Sequence, residues 1–169
     1  MLMLKLIGLL MLIVTGTYIG FSKSRCLSNR VDFLEEYIGF LSYIETQVRY
    51  SSDCIVSILD DYDSKNRLNF IDCCLLKMNN GAVFIKSWNE SIDEIPDSVG
   101  LKNEDKNLLR SFGNELGKSD IEGQISHCKL YQKLTSQKLE EARMQKQQKY
   151  RLYQMLGASL GLCVGLLFI

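Results

Sequence analysis

An all-α protein, a cytoplasmic helical bundle flanked by two transmembrane helices, is predicted by three observations in this 169-residue sequence. It has one Pro and few central Gly, so little interrupts a helix. Through the middle of the chain, apolar residues recur every three or four positions, which is the period of one helical face. Each end is a long apolar run almost free of charge.

The N-terminal run, LMLKLIGLLMLIVTGTYIGF (residues 2–21), is polar only at Lys5, Thr15 and Thr17. Twenty helical residues cover about 30 Å, the thickness of the hydrocarbon core. Lys5 lies about one turn from the end, where its ammonium can reach the headgroups. A cleaved signal peptide is the rival reading, but no A-x-A-like site follows. The C-terminal run, LYQMLGASLGLCVGLLFI (residues 152–169), carries no charge, and its eighteen residues span about 27 Å. Lys23, Arg25 and Arg30 follow the first run, and Arg143, Lys146, Lys149 and Arg151 precede the second. Basic flanks collect on the cytoplasmic side, so residues 22–151 are expected in the cytoplasm between membrane helices at 1–21 and 152–169. Gly157, Gly161 and Gly165, like Gly16 and Gly20, recur at four-residue intervals. Such ridges of small residues let membrane helices pack closely, although Gly is also common in any membrane helix.

The central region resolves into helical stripes. Leu34, Ile38, Leu41, Ile44 and Val48 mark the first. Ser52-Asp53 is expected to cap a short helix carrying Ile55, Ile58 and Leu59. After a loop at 61–67, a third helix carries Leu68, Ile71, Cys74, Leu75 and Met78 and ends at Asn79-Asn80-Gly81. A fourth carries Phe84, Trp88 and Ile92, and the chain turns around Pro96 and Gly100. A fifth places Leu108, Leu109, Phe112 and Leu116 on one face. These stripes, with Trp88 as an anchor, are expected to form the core.

Gly-Lys-Ser at 117–119 poses the question of a nucleotide site. The phosphate loop reads G-x-x-x-x-G-K-[ST] after a strand, whereas Gly113 and Gly117 are separated by three residues and a helix precedes them. The stretch reads instead as a corner between two helices. Gly117 ends the fifth helix, and Ser119-x-x-Glu122 forms a capping box for the sixth. That last helix carries Ile121, Ile125, Cys128, Tyr131, Leu134, Leu139 and Ala142 and meets no Gly or Pro between 124 and 156. One rod of about fifty residues, roughly 75 Å long, is expected to rise from the bundle into the C-terminal run.

Zero net charge and the lack of aromatic–basic interleaving argue against nucleic acid. The six cysteines include no C-x-x-C pair, and Cys73-Cys74 and His127-Cys128 lack the converging partners of a metal or thiol site. No G-x-S-x-G elbow or carboxylate–His cluster is present, and Asp60-Asp61-Asp63 reads as a solvated loop. No enzyme activity, cofactor or metal is expected.

LLRSFGNELGKSDIEGQISHCKLY (residues 108–131) resembles the L-x-x-[FL]-G-x-x-L-G-x-S-D-x-x-x-Q stretch of the stage III sporulation protein AB family of spore-forming Firmicutes. LKLIG, YIETQVRY, GAVFIKSWNESI and YRLYQMLGASLGLCVGLLFI follow the family's order, so the resemblance covers essentially the whole chain. It implies half of a type II secretion F-type inner-membrane platform, whose cytoplasmic repeat is a six-helix bundle. The implied place is the mother-cell membrane, in the channel apparatus facing the forespore. The implied partners are a cytoplasmic secretion-type ATPase (stage III sporulation protein AA) and other stage III sporulation membrane proteins. With one bundle and two anchors, where the secretion platform has two and three, self-association is implied as well. Gly117, Ser119, Asp120 and Gln124 are the candidate partner residues, with a purely structural corner as the alternative. YSSDC at 50–54 departs from the Gly-x-x-Pro-Leu turn of relatives. A membrane-tethered adaptor without a role in transport is the second functional reading.

Overall fold

The computed structural model describes the backbone of residues 2–51, 54–62 and 67–167, and the side-chain surroundings of 25–51, 54–62 and 67–149. Among the described residues there are six α-helices and no strand: α1 (Leu2–Tyr50), α2 (Ile55–Asp60), α3 (Asn69–Asn79), α4 (Phe84–Asp93), α5 (Asn103–Glu115) and α6 (Ile121–Leu167). A 3₁₀ turn, Asp97–Val99, leads into α5. The all-α expectation holds, as does the long last helix, which runs unbroken for 47 residues.

The first helix is longer than the sequence reading expected. It is continuous for 49 residues, about 74 Å, joining the N-terminal run to the first core stripe. SKSRCLSNR at 22–30 is polar but contains neither Gly nor Pro, so nothing there breaks the helical hydrogen-bond ladder. No stretch of the described side chains is long and apolar enough to cross a membrane. The apolar runs at 2–21 and 152–169 lie outside those side chains, as do the glycine ridges Gly16/Gly20 and Gly157/Gly161/Gly165.

α1 and α6 form the antiparallel frame of the bundle. Arg143 Nη2 donates to Glu35 at 2.8 Å and Gln132 Nε2 donates to Glu45 at 3.1 Å, so residue numbers rise along one helix and fall along the other. Both long helices therefore leave the bundle at the same end. Leu34, Leu41 and Ile44 are buried as expected, but so are Phe33, Tyr37 and Phe40. α1 is covered on two sides: Val31 and Leu34 pack with Leu139 and Ala142 of α6, while the aromatics enter the main core. There Trp88 is fully buried, with its ring 5.2 Å from Phe70 and 6.4 Å from Phe40, and its indole N–H donates to the Leu109 carbonyl at 2.9 Å.

Arg30 departs from its expected role as a solvated basic flank. It is 1% exposed, and its guanidinium donates to both carboxylate oxygens of the equally buried Asp105, at 2.7 and 2.9 Å. Nη1 also reaches Gln145 Oε1 at 3.2 Å. Asp105 in turn accepts the Lys102 N–H at 2.8 Å, closing the first turn of α5. α1, α5 and α6 are thus joined at one polar point just before the long helices leave the bundle.

Two thiols lie deep in this core. Burial pushes Cys74 up to about 11 and Cys128 up to about 12. Because the folded state holds these protons more tightly than the unfolded chain, the associated stability is fully present below pH 9.0 and is lost as pH rises through 11 and 12. Urea titrations across pH 8–11 should therefore show progressive alkaline weakening, reduced in a Cys74→Ala/Cys128→Ala chain.

Candidate partner surface

The candidate residues Gly117, Ser119, Asp120 and Gln124 form the α5–α6 corner. α5 stops at Glu115, and Gly117 then adopts φ +82°, a left-handed conformation that a Cβ disfavours. A Cβ there would also stand 2.6 Å from Ile55 Cδ1, so the corner rests directly against the start of α2. The helix-ending role expected of Gly117 is what the geometry shows.

The cap of α6 differs from the expected capping box. Asp120, not Ser119, holds the first turn: its Oδ1 accepts the Gly123 N–H at 3.0 Å, and its carbonyl accepts the Gln124 N–H at 2.9 Å. Ser119 Oγ instead accepts the Gln124 side-chain amide at 2.8 Å, and that amide also reaches the Glu115 carbonyl at 3.4 Å. The physical reason is position. Asp120 is adjacent to the first helical residue, where its carboxylate meets the positive end of the helix dipole. Asp120→Ala should cost about 1 kcal/mol in thermal unfolding. A loss under a few tenths would show that another group caps α6.

The sequence expectation for α2 also changes. Its N-cap is Cys54, with no side-chain cap bond, and Ser52-Asp53 lie outside the described residues.

The four candidates divide in two. Gln124 is 4% exposed and clasps the corner from within, while Gly117, Ser119 and Asp120 face solvent. Large apolar side chains lie exposed at this end of the bundle: Tyr50 at 82%, Val56 at 39% and Ile121 at 60%, the last expected on the apolar side of α6. They end α1, begin α2 and begin α6. Tyr50 and Val56 had a signal in the sequence, an apolar residue beside a helix terminus and off the core stripe.

Other sites offer little chemistry. His127 stacks on Phe112 at 5.1 Å, with Nε2 3.1 Å from the Phe112 carbonyl oxygen. Lys118 pairs with Glu115 at 3.3 Å, and no strand precedes it, so Gly-Lys-Ser is a helix corner. A groove of about 440 Å³ between α1, α3 and α4 is lined by Asp32, Phe33, Arg67, Phe70 and Ser91 among others. Among the described residues, no three His, Cys, Asp or Glu side chains gather to hold a metal ion.

Residues 5–169 match the family described as stage III sporulation protein AB. The chain belongs to that family. A relative, stage III sporulation protein AB of Bacillus subtilis (strain 168), is 27% identical over 175 residues, covering 99% of this chain and 98% of its own. No solved structure matches. The corner that carried the resemblance to the AB family is thus a packed turn, with Gly113 against Trp88 and Gly117 against Ile55.

Proposed function

We propose that this chain serves sporulation as a non-enzymatic membrane platform of the mother cell–forespore channel apparatus. In this reading residues 1–21 and 152–169 cross the mother-cell membrane, and residues 22–151 form a cytoplasmic bundle related to the type II secretion F-type platform domain. The bundle docks a cytoplasmic secretion-type ATPase, stage III sporulation protein AA, beside other stage III sporulation membrane proteins. Membership of the AB family supports the sporulation role.

The carrying observation is the antiparallel frame. α1 and α6 emerge from one end of the bundle, and each continues into an apolar run of membrane-spanning length. Basic residues cluster beside those runs, as cytoplasmic flanks do. Two such rods set the bundle against one membrane face, with its opposite end turned to the cytoplasm. Gly16, Gly20, Gly157, Gly161 and Gly165 are the proposed packing ridges of the membrane helices, with each other or with a second copy.

Cys54 is exposed in the structure, whereas Cys128 is fully buried with its thiol pushed up to about 12. Cys54 is therefore the reporter of sidedness, placed in a background without other cysteines. An impermeant maleimide should label it in permeabilised cells and leave it untouched in intact ones. Equal labelling in both would reverse the topology. Affinity purification from sporulating cells should co-recover the ATPase; recovery without any ATPase or channel component would favour a tethered adaptor.

A further inference from the structure

A net charge of zero conceals a separation of charge along the chain. All twenty acidic residues fall within residues 32–141, together with only twelve of the twenty basic ones. The first 31 and the last 28 residues hold the other eight bases and no acid. Folding brings those two stretches together, because α1 and α6 run antiparallel and leave the bundle at one end. Three of the bases there are engaged within the protein. Arg30 is buried on Asp105, Arg143 is paired with Glu35 at 2.8 Å and Glu140 at 2.9 Å, and Arg25 has a partner of its own. Lys23, Lys146, Lys149 and Arg151 remain, toward the apolar runs. Arg30 meets Gln145 at 3.2 Å, so Lys146 and Lys149 stand alongside α1 residues that precede Arg30, where no acid occurs. Lys149 is exposed and Lys146 half-buried, and neither is ion-paired among the described residues.

We propose that this junction is a binding surface for anionic phospholipid, with Lys23, Lys146, Lys149 and Arg151 placed at the level of the headgroups. Along the helix axes these four positions lie about 1.5–9 Å from the apolar runs. The headgroup layer is roughly 5–7 Å deep on each face of a bilayer, and long basic side chains extend toward it. Four or more bases just beyond a membrane helix attract anionic headgroups. The sign of the charge selects an anionic occupant, and its depth selects lipid over an acidic protein, which would have to enter the headgroup layer. A second copy does not fit, because its acids all lie within 32–141 and stand beyond that layer in the same membrane. Residues 32–141, with twenty acids against twelve bases, are repelled by the same anionic face. The junction is thus held while the bundle stands off, with both effects confined to about 8 Å by salt. The inference rests on the reading that residues 1–21 and 152–169 cross the membrane.

The test reconstitutes the full-length chain in nanodiscs of equal phosphatidylcholine and phosphatidylglycerol and counts the lipids it retains by native mass spectrometry. Retained lipid should be enriched about fivefold in phosphatidylglycerol, and the enrichment should fall with salt. The Lys23→Gln/Lys146→Gln/Lys149→Gln/Arg151→Gln variant should lose it. A charge-matched control, Lys86→Gln/Lys118→Gln/Lys129→Gln/Lys133→Gln, alters four exposed bases of the bundle and should keep it. Persistent enrichment in the junction variant, or equal loss in the control, overturns the inference. Displacement of the lipid by inorganic phosphate at matched ionic strength would mark a free-phosphate site and overturn it too. If the quadruple junction variant does not fold, Lys146→Gln/Lys149→Gln decides in its place, with enrichment of about twofold or less expected. Failure of the unmodified chain to enter nanodiscs of phosphatidylcholine alone would refute the membrane reading and this inference with it. Entry there without enrichment in the mixture refutes this inference alone.

Discussion

Asp105→Ala is expected to lower the stability of the bundle by about 3–5 kcal/mol, because it leaves the Arg30 guanidinium buried without its counter-charge. Arg30 and Asp105 are each 1% exposed and share two hydrogen bonds, so water cannot replace the carboxylate without opening the α1–α5 contact. The variant also frees the Lys102 N–H, which Asp105 accepts at 2.8 Å. Domains of this size are stable by only about 5–15 kcal/mol, so the loss is a large share of the total. The paired replacement Arg30→Met/Asp105→Leu is expected to behave oppositely, at wild-type stability or up to about 4 kcal/mol above it, since both desolvation penalties disappear together. Urea unfolding of the detergent-solubilised chain, followed by circular dichroism, measures all three proteins. A double variant as unstable as Asp105→Ala would show that the pair supplies net stability. In that case its role would exceed the joining of three helices.

The second large effect is expected at Gly113. Within a helix Gly→Ala ordinarily stabilises by about 0.5–1 kcal/mol. Here the sign should invert. A Cβ at 113 would stand 2.2 Å from Trp88 Nε1 and 2.3 Å from its Cδ1, inside any tolerable contact. The indole cannot retreat freely, because its N–H is bound to the Leu109 carbonyl and Phe40, Phe70 and Phe112 surround it. Overpacking of this kind costs about 1–3 kcal/mol. Trp88→Ala alone should cost about 3–5 kcal/mol by opening a cavity. Adding Gly113→Ala to Trp88→Ala should then cost nothing further or recover part of the loss. The chain has one Trp, so fluorescence in Gly113→Ala reports directly on displacement of that ring. An unshifted spectrum with raised stability would mean that α5 and α4 separate more readily than their packing implies.

These two sites show where sequence reasoning stopped. Arg30 falls on the α1 stripe that continues through Leu34, Tyr37, Leu41 and Ile44, in steps of four and three. A charged residue on an apolar stripe signals a buried pair, but its distance from Asp105 is 75 positions, and no local pattern names the partner. Gly113 was visible as part of the FG motif, yet its reason is a ring that arrives from another helix. At the corner the turn itself was legible, because Gly117 and an acidic or hydroxyl cap carry local signals. Which of two adjacent residues makes the cap was settled by geometry, and Asp120 took the place expected of Ser119.

Periodicity, turn residues and motifs are local properties of a chain, and they made the all-α class, the helical stripes, the corner at Gly117 and the resemblance to the AB family legible before folding. Only the folded chain shows that Arg30 is buried, that α1 is covered on two sides and that Tyr50, Val56 and Ile121 are left exposed. Those outcomes depend on which surfaces meet after folding, and pairings of distant residues leave no short-range trace in the order of amino acids.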